Sequence, residues 1–262
     1  TNNFFCKMIS LDQKLLAVAM SYPFSRSHES FVFVNGTIEY LESYEKDKLN
    51  TFLSDVEAPS IENRMPVLAY GANASPERLK LKFSQLSPAV FPVIRAKLID
   101  FDIVFASHYS SYGAIPATLM FAPHTTVDLF VTFLEEKQLG LMHQSELSGR
   151  KYVFGQLNNI KVQLDGNEML NSIYSYWTGY GHYSDKDQAI ALSKVPAAGR
   201  QLKSWTQMDM QKQARDHLDP GKSLSNFILE HLKSETLRGR HSDKLSLFAK
   251  PFNYKAHRII ER

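Results

Sequence analysis

The stretch that decides the fold is MPVLAYGANASPERLKLKF, residues 65–83. Its apolar run at 67–70 predicts a buried strand, which stops at the small residues 71–74. Serine is a favoured helix N-cap, and proline is favoured at the first helical position, where its missing N–H would be unpaired anyway. Ser75-Pro76 therefore predicts that a helix begins directly after the turn and continues to about residue 83.

The turn at 71–74 has two interpretations. Gly71 permits backbone conformations that other residues avoid, so the turn could serve only to reverse the chain. A strand–turn–helix junction also directs several free backbone N–H groups to one point, which favours a carboxylate or a phosphate. The residues of the turn leave both interpretations open.

Several short strand patterns and one helix follow this stretch. Strands are predicted at 96–106, 117–121, 127–134, 153–164 and 172–177, with a turn at 122–124 and a helix at 135–146. Short strands with helices between them predict an α+β fold, built as a small, mostly antiparallel β-barrel with inserted helices.

The chain divides into three predicted segments. Residues 1–60 form an N-terminal extension with a helix at 10–20, a hairpin that turns at Asn35-Gly36 and a helix at 44–56. Residues 61–185 form the barrel. Residues 186–262 form a helical C-terminal extension, with helices predicted at 185–193, 202–218 and 223–237. Its last part, 231–262, carries eight Lys/Arg against three Asp/Glu, a local net charge of +5.

The composition is that of a globular protein, with 44% hydrophobic and 22% charged residues among 262. No apolar run approaches the length needed to cross a bilayer, and no basic segment followed by an apolar one opens the sequence. The single cysteine, Cys6, excludes an intrachain disulfide and is interpreted as a small hydrophobe rather than a nucleophile. These features predict a cytoplasmic protein without a membrane partner.

The motif Tyr70-Gly71-Ala72-Asn73 resembles the Tyr-Gly-Ser-Asn signature of the γ-glutamylcyclotransferase-like superfamily. Later elements resemble the family in order: Gly113 before the run 117–120, a helix ending at Glu146, and a strand that opens at Tyr152. The resemblance covers roughly residues 66–180. The chain departs from the pattern where Ala72 replaces serine and where Leu129 and Leu147 stand at positions that are often glycine.

This resemblance implies an enzyme that cyclises a γ-glutamyl group to 5-oxoproline and releases an amine or amino acid, without a metal or cofactor. Glu146 would be the catalytic acid/base that takes a proton from the attacking amine and gives one to the leaving amine. Apolar neighbours on its helix predict that it is buried. The substrate-binding residues would be Tyr70, Gly71, Ala72, Asn73, Tyr152 and Tyr174. The implied partner is a small γ-glutamyl compound.

Two alternatives stay open. A protein of the same fold could bind a ligand or regulate a process without catalysis. The basic tail and the aromatic stretch 172–183 could instead contact nucleic acid, which is the less favoured partner because alternating aromatic residues also form barrel walls. The nine scattered histidines include no His-Glu-x-x-His pattern, and the sequence has no glycine-rich phosphate-loop motif, so neither zinc nor nucleotide chemistry is predicted.

Overall fold

The computed structural model describes residues 10–149 and 151–262, and Cys6 lies outside them. The helices are α1 (Leu11–Ser21), α2 (Lys46–Asp55), α3 (Pro76–Lys82), α4 (Glu136–Glu146), α5 (Gln207–Leu218), α6 (Leu224–Lys233) and α7 (Glu235–Ser246). The longer strands are β1 (Phe31–Val34), β2 (Thr37–Tyr40), β3 (Met65–Ala69), β4 (Val90–Phe105), β5 (Ala117–Leu134), β6 (Tyr152–Leu164) and β7 (Met169–Thr178). The shorter ones are β8 (His182–Asp185), β9 (Gln188–Ala189), β10 (Ala191–Leu192), β11 (Ala197–Ala198), β12 (Ser204–Trp205), β13 (Ala249–Lys250) and β14 (His257–Glu261).

Five of these strands close into a barrel. Around the ring, β3 pairs with β5, β5 with β4, β4 with β6 and β6 with β7, all antiparallel. The ring closes where β7 returns to β3 in a parallel pairing that sets Tyr174 opposite Val67. The hairpin β1–β2 extends the sheet from β4, and β14 adds to β6. The predicted α+β fold with a mostly antiparallel barrel is therefore confirmed.

The strand directions bring five chain segments to one end of the barrel. The strands β3 and β7 run parallel and β6 runs against them, so β3 and β7 end on the side of the barrel where β6 begins, with Thr178 paired to Tyr152. The strand β4 is antiparallel to β5 and β6, so it also ends there. Residues separated by more than 100 positions in the sequence thus meet around one opening.

Alternate side chains of the barrel strands belong to two apolar clusters, as the period of two in a strand requires. Leu68 of β3 belongs to the larger cluster, whereas its chain neighbours Val67 and Ala69 belong to the smaller one. The smaller cluster also contains Leu79 of α3 and Met142 of α4. Both inserted helices are therefore held against one face of the barrel wall.

The prediction of two strands separated by a turn at 122–124 is wrong. Residues 117–134 form one long strand, β5, which bends but does not break. Asp100 on β4 and His124 on β5 both have positive φ, and the pairing register shifts between Ile99 and Phe101. The His124 N–H donates to Asp100 Oδ1 at 2.9 Å, so a side chain supports the backbone at the bend.

The prediction of a helix at 185–193 is also wrong. That region contains β9 and β10, because Lys186 and Asp187 both adopt positive φ and turn the chain back into a short hairpin with β8. The helix predicted at 223–237 is two helices, α6 and α7. Ser234 separates them, and its side chain caps α7 by accepting from the Leu237 N–H. The hairpin turn at Asn35-Gly36 is confirmed, with φ of 48° and 92°.

Both flanking segments pack onto the barrel. Ala19 and Leu53 from the N-terminal side, and Phe227 and Leu245 from the C-terminal side, share the larger core cluster with barrel residues. The segment boundaries near residues 60 and 185 stay predictions. No helix in the described ranges has the length and hydropathy that a membrane span requires.

A buried ion pair fastens the chain after β11 to the barrel. Asp102 on β4 has a fully buried side chain, and Arg200 donates to its two carboxylate oxygens at 2.8 Å and 2.6 Å. The same guanidinium donates to the Val195 carbonyl at 2.9 Å. Such a bidentate pair is tolerated in the interior because both carboxylate oxygens are satisfied.

Replacing Arg200 with methionine should lower the free energy of unfolding by about 3 kcal/mol, because the Asp102 carboxylate is left buried without a partner. Urea denaturation measures this loss. The matched control is Lys48→Met, which breaks an exposed pair with Glu45 and should cost less than about 1 kcal/mol. Equal effects of the two substitutions would contradict the structural role given to Arg200.

Candidate active site

A cavity of about 770 Å³ opens at the barrel end where the five chain segments meet. The predicted residues Tyr70, Gly71, Ala72, Asn73, Glu146 and Tyr152 all line it. Residues that sequence reasoning missed also line it, among them Tyr22, Arg78, Lys82, His108, Tyr112, Lys151, Tyr176 and Arg238. The structure therefore brings the predicted turn and the predicted acid/base into one site.

Glu146, the last residue of α4, is held by two side chains. Lys82 Nζ lies 2.6 Å from Glu146 Oε1, and Asn73 Nδ2 donates to the same oxygen at 3.2 Å. Lys82 Nζ also donates to Asn73 Oδ1 at 2.7 Å, so each of the three side chains contacts the other two. The turn, the end of α3 and the end of α4 are thus joined by one polar cluster, Asn73–Lys82–Glu146.

The surroundings of Glu146 differ from the apolar burial that its helix predicts. Its side chain is 21% exposed, and the nearest partner is the Lys82 ammonium, itself 14% exposed. The apolar face of α4, including Leu139 and Met142, packs into the core instead. The carboxylate therefore lies at the end of the helix in the lining of the cavity, partly exposed and paired with a cation.

Buried and half-buried tyrosines form the wall around this cluster. Tyr70 donates its hydroxyl to the Tyr176 carbonyl, and Tyr152 donates to the Ala117 carbonyl at 2.9 Å. Burial, followed by the charge of Glu146, raises the pKa of Tyr70 and of Tyr176 above the ordinary value. These phenols stay protonated at neutral pH, and the bonds of Tyr70 and Tyr152 to backbone carbonyls fix the wall in place.

Tyr174 does not line this cavity. It lies two residues before Tyr176 on the same face of β7 and stacks on Phe154, with ring centroids 5.6 Å apart. Tyr176 reaches the site instead, and its hydroxyl lies 2.7 Å from His143 Nδ1. The aromatic alternation of this strand identifies the correct face, but it does not identify which tyrosine reaches the barrel end.

The cavity is rich in cations. Its lining includes the cationic residues Arg78, Lys82, Lys151 and Arg238, with the carboxylates Glu146 and Glu235. His108 adds no positive charge, because burial and the nearby Lys151 lower its pKa to about 3. Among the residues described, no group of three His, Cys, Asp or Glu side chains lies close enough together to hold a metal ion. The site is suited to an organic ligand that carries more negative than positive charge.

Gly71 is required by a close approach from the N-terminal segment. A Cβ at this position would lie 2.5 Å from Tyr22 Oη and 3.5 Å from Tyr22 Cζ. Tyr22 Oη in turn accepts from the Ala117 N–H at 2.8 Å. A residue outside the barrel segment thus shapes the turn that carries the family-like motif.

Ser75 occupies the N-cap of α3, as predicted, but its side chain does not cap the helix. Its hydroxyl donates to Glu77 Oε2 at 2.9 Å instead. The proline at the first helical position and the acidic Glu77 in the first turn agree with the sequence pattern. The sequence therefore predicts where the helix begins, although the Ser75 side chain makes no capping hydrogen bond.

Gly71→Ala should lower the free energy of unfolding by about 1–3 kcal/mol, because the added Cβ overpacks against the Tyr22 hydroxyl. Combining it with Tyr22→Phe, which removes that hydroxyl, should recover part of the loss. Urea denaturation of wild type, both single variants and the double variant measures the coupling. Strictly additive losses would mean that Tyr22 does not set the requirement for glycine.

Comparisons with known proteins give three similar solved structures. No model of a protein family matches the chain, and a search of curated proteins gives no match. A solved structure named gamma-glutamyl cyclotransferase is similar at 18% identity and a TM-score of 0.35, covering 73% of this chain and 90% of that one. An uncharacterized protein from Homo sapiens is similar at 17% identity and a TM-score of 0.36, covering 74% and 92%. YkqA from Bacillus subtilis follows at 11% identity and a TM-score of 0.36, covering 79% and 72%.

All three similarities have identities below 20% and TM-scores below 0.5, so they carry no argument about the family or the activity of this protein. The roles of the individual site residues stay predictions.

Proposed function

We propose that this protein binds a γ-glutamyl compound in the cavity and cyclises it to 5-oxoproline, releasing an amine or amino acid. The observation that supports this most directly is the meeting of Glu146 with the 70–73 turn at one opening of the barrel. The reaction needs a proton carrier and a site for an anion, and a carboxylate beside a strand–turn–helix junction can supply both.

The reaction is an internal transfer of the γ-acyl group. The α-amine nitrogen of the γ-glutamyl group attacks the γ-carbonyl carbon and forms the ring C–N bond, while the bond from that carbon to the leaving nitrogen breaks. Glu146 takes the proton that the attacking nitrogen loses and passes one to the leaving nitrogen, so the carboxylate is restored and no water is consumed. Because attacker and target belong to one molecule, positioning contributes much of the rate.

The Lys82–Glu146 pair gives the substrate a place for both of its α-groups. The α-carboxylate would take the Lys82 ammonium, and the α-amine would approach the Glu146 carboxylate. Lys82 then exchanges the Glu146 carboxylate for the substrate carboxylate, and Glu146 exchanges the Lys82 nitrogen for the substrate nitrogen. Arg78, Lys151 and Arg238 leave further positive charge in the cavity for carboxylates on the leaving group.

Glu146→Gln should reduce 5-oxoproline formation by at least about 100-fold, because the amide cannot accept the proton of the attacking amine. Release of 5-oxoproline from a panel of γ-glutamyl amino acids, γ-glutamyl amines and glutathione is measured by mass spectrometry. Glu136→Gln, in the first turn of the same helix, is the matched control and should retain full activity. Wild-type turnover that persists in Glu146→Gln would exclude Glu146 as the proton carrier.

Lys82→Met should raise KM by about tenfold or more with a smaller change in kcat, because a charge-assisted contact to the α-carboxylate is lost. Steady-state kinetics on the substrate identified with wild type separates the two constants. Lys80→Met, on the exposed side of the same helix, is the control and should change neither. A fall in kcat at constant KM would contradict a binding role for Lys82.

The same ion pair favours a second candidate function, that of a ligand-binding protein without catalysis. The Glu146 carboxylate lies 2.6 Å from the Lys82 ammonium, so this contact must break before the carboxylate can take a proton from a substrate amine. Calorimetry distinguishes the two functions: binding of a γ-glutamyl compound that releases no 5-oxoproline would support the second and exclude the first.

A further inference from the structure

A second cavity, of about 730 Å³, contains no residue of the 70–73 turn. It is bordered by Ser21 at the end of α1 and by residues 24–28, by β4 and β5, by the turn after β6 and by the loop before β11. Its lining shares no residue with the cavity around Glu146. Neither the sequence motifs nor the proposed reaction gives it a role.

Cations from three chain segments converge on this second cavity. Arg26 donates through Nη2 to the Asp128 carbonyl at 2.8 Å, and its guanidinium lies 5.5 Å from the centre of the Phe130 ring. On the neighbouring strand, Lys97 is the register partner of Asp128 and Arg95 is the register partner of Phe130. Directly paired residues on adjacent antiparallel strands lie only about 5 Å apart, so Arg26 lies over the two cationic positions of β4.

This concentration of positive charge is not compensated by ion pairs. Arg26, Arg95, Lys97 and Lys194 line the cavity with only two carboxylates, Asp128 and Asp165. Within residues 10–149 and 151–262, none of the four cations forms a salt bridge within 4.0 Å. Like charges gathered without partners are costly, and a bound anion relieves the cost.

Arg26 carries a second sign of a missing partner. Its Nη1 is buried and has no hydrogen-bond acceptor among the described residues. A buried guanidinium N–H without an acceptor is unfavourable, because guanidinium donors lose their hydration and gain nothing in return. Burial also lowers the pKa of Arg26 to about 10, which still leaves it charged at neutral pH.

We propose that this second cavity is a binding site for a small phosphate-bearing molecule, with the phosphate held by Arg26, Arg95 and Lys97. A phosphate dianion matches the two net positive charges of the lining, and its oxygens accept the paired N–H groups of arginine. The cavity is much larger than phosphate alone, and Phe24 and Leu129 in its lining offer apolar contact to the remainder of the ligand.

Isothermal titration calorimetry at low ionic strength tests this proposal, with inorganic phosphate, pyrophosphate and succinate as probes. We expect wild type to bind pyrophosphate more tightly than phosphate and to bind succinate weakly. Arg26→Gln and Arg95→Gln should each weaken pyrophosphate binding by about tenfold or more. Lys137→Gln removes an exposed charge from α4, outside both cavities, and should change it less than twofold.

Three outcomes would overturn the proposal: no pyrophosphate binding by folded wild type, tighter binding of succinate than of pyrophosphate, or an equal loss in Lys137→Gln. If Arg26→Gln fails to fold, as circular dichroism would show, the exposed Arg95 still provides the test. Glu146→Gln should bind pyrophosphate as wild type does, so the result is independent of the proposed cyclisation.

Discussion

The parallel pairing of β3 with β7 is the constraint on which the site depends. It closes a sheet whose other pairings are antiparallel, and it is made where Val67 meets Tyr174. Closure removes two exposed strand edges and sets the directions of all five strands. As a result, the turn after β3, the start of β6 and the end of β7 lie together at one opening. A reversed β7 would carry Tyr176 to the opposite end of the barrel.

The polar cluster Asn73–Lys82–Glu146 depends on this framework and reinforces it. The turn follows directly from β3 of the barrel, and Tyr22 packs against it at Gly71. Asn73 is thereby positioned to donate a hydrogen bond to Glu146 at the end of α4. The two inserted helices share an apolar cluster against the wall, which places Lys82 and Glu146 within contact. Apolar packing therefore sets the positions, and electrostatics acts within them.

The local part of this structure could be predicted from the sequence. Asn35-Gly36 carries its turn geometry in two residues, and the end of α4 at Glu146 follows from the helical pattern. The bend of β5 could not be predicted, because it needs Asp100 to support His124 across the sheet. Tyr22 and Arg238 could not be predicted as cavity residues for the same reason, because no local sequence pattern indicates which distant segments reach the cavity. Lys82 could have been predicted as a site residue, because it lies on the predicted helix near the motif.

The N-terminal segment then takes part in the site and is not merely appended to the barrel. Within five residues it contributes Tyr22 to the cavity around Glu146 and Arg26 to the second cavity. Tyr22 bonds to the first residue of β5, and Arg26 bonds to Asp128 farther along the same strand. Both contacts hold the segment against one strand. The Gly71 turn is accordingly shaped by residues that the family-like motif does not include.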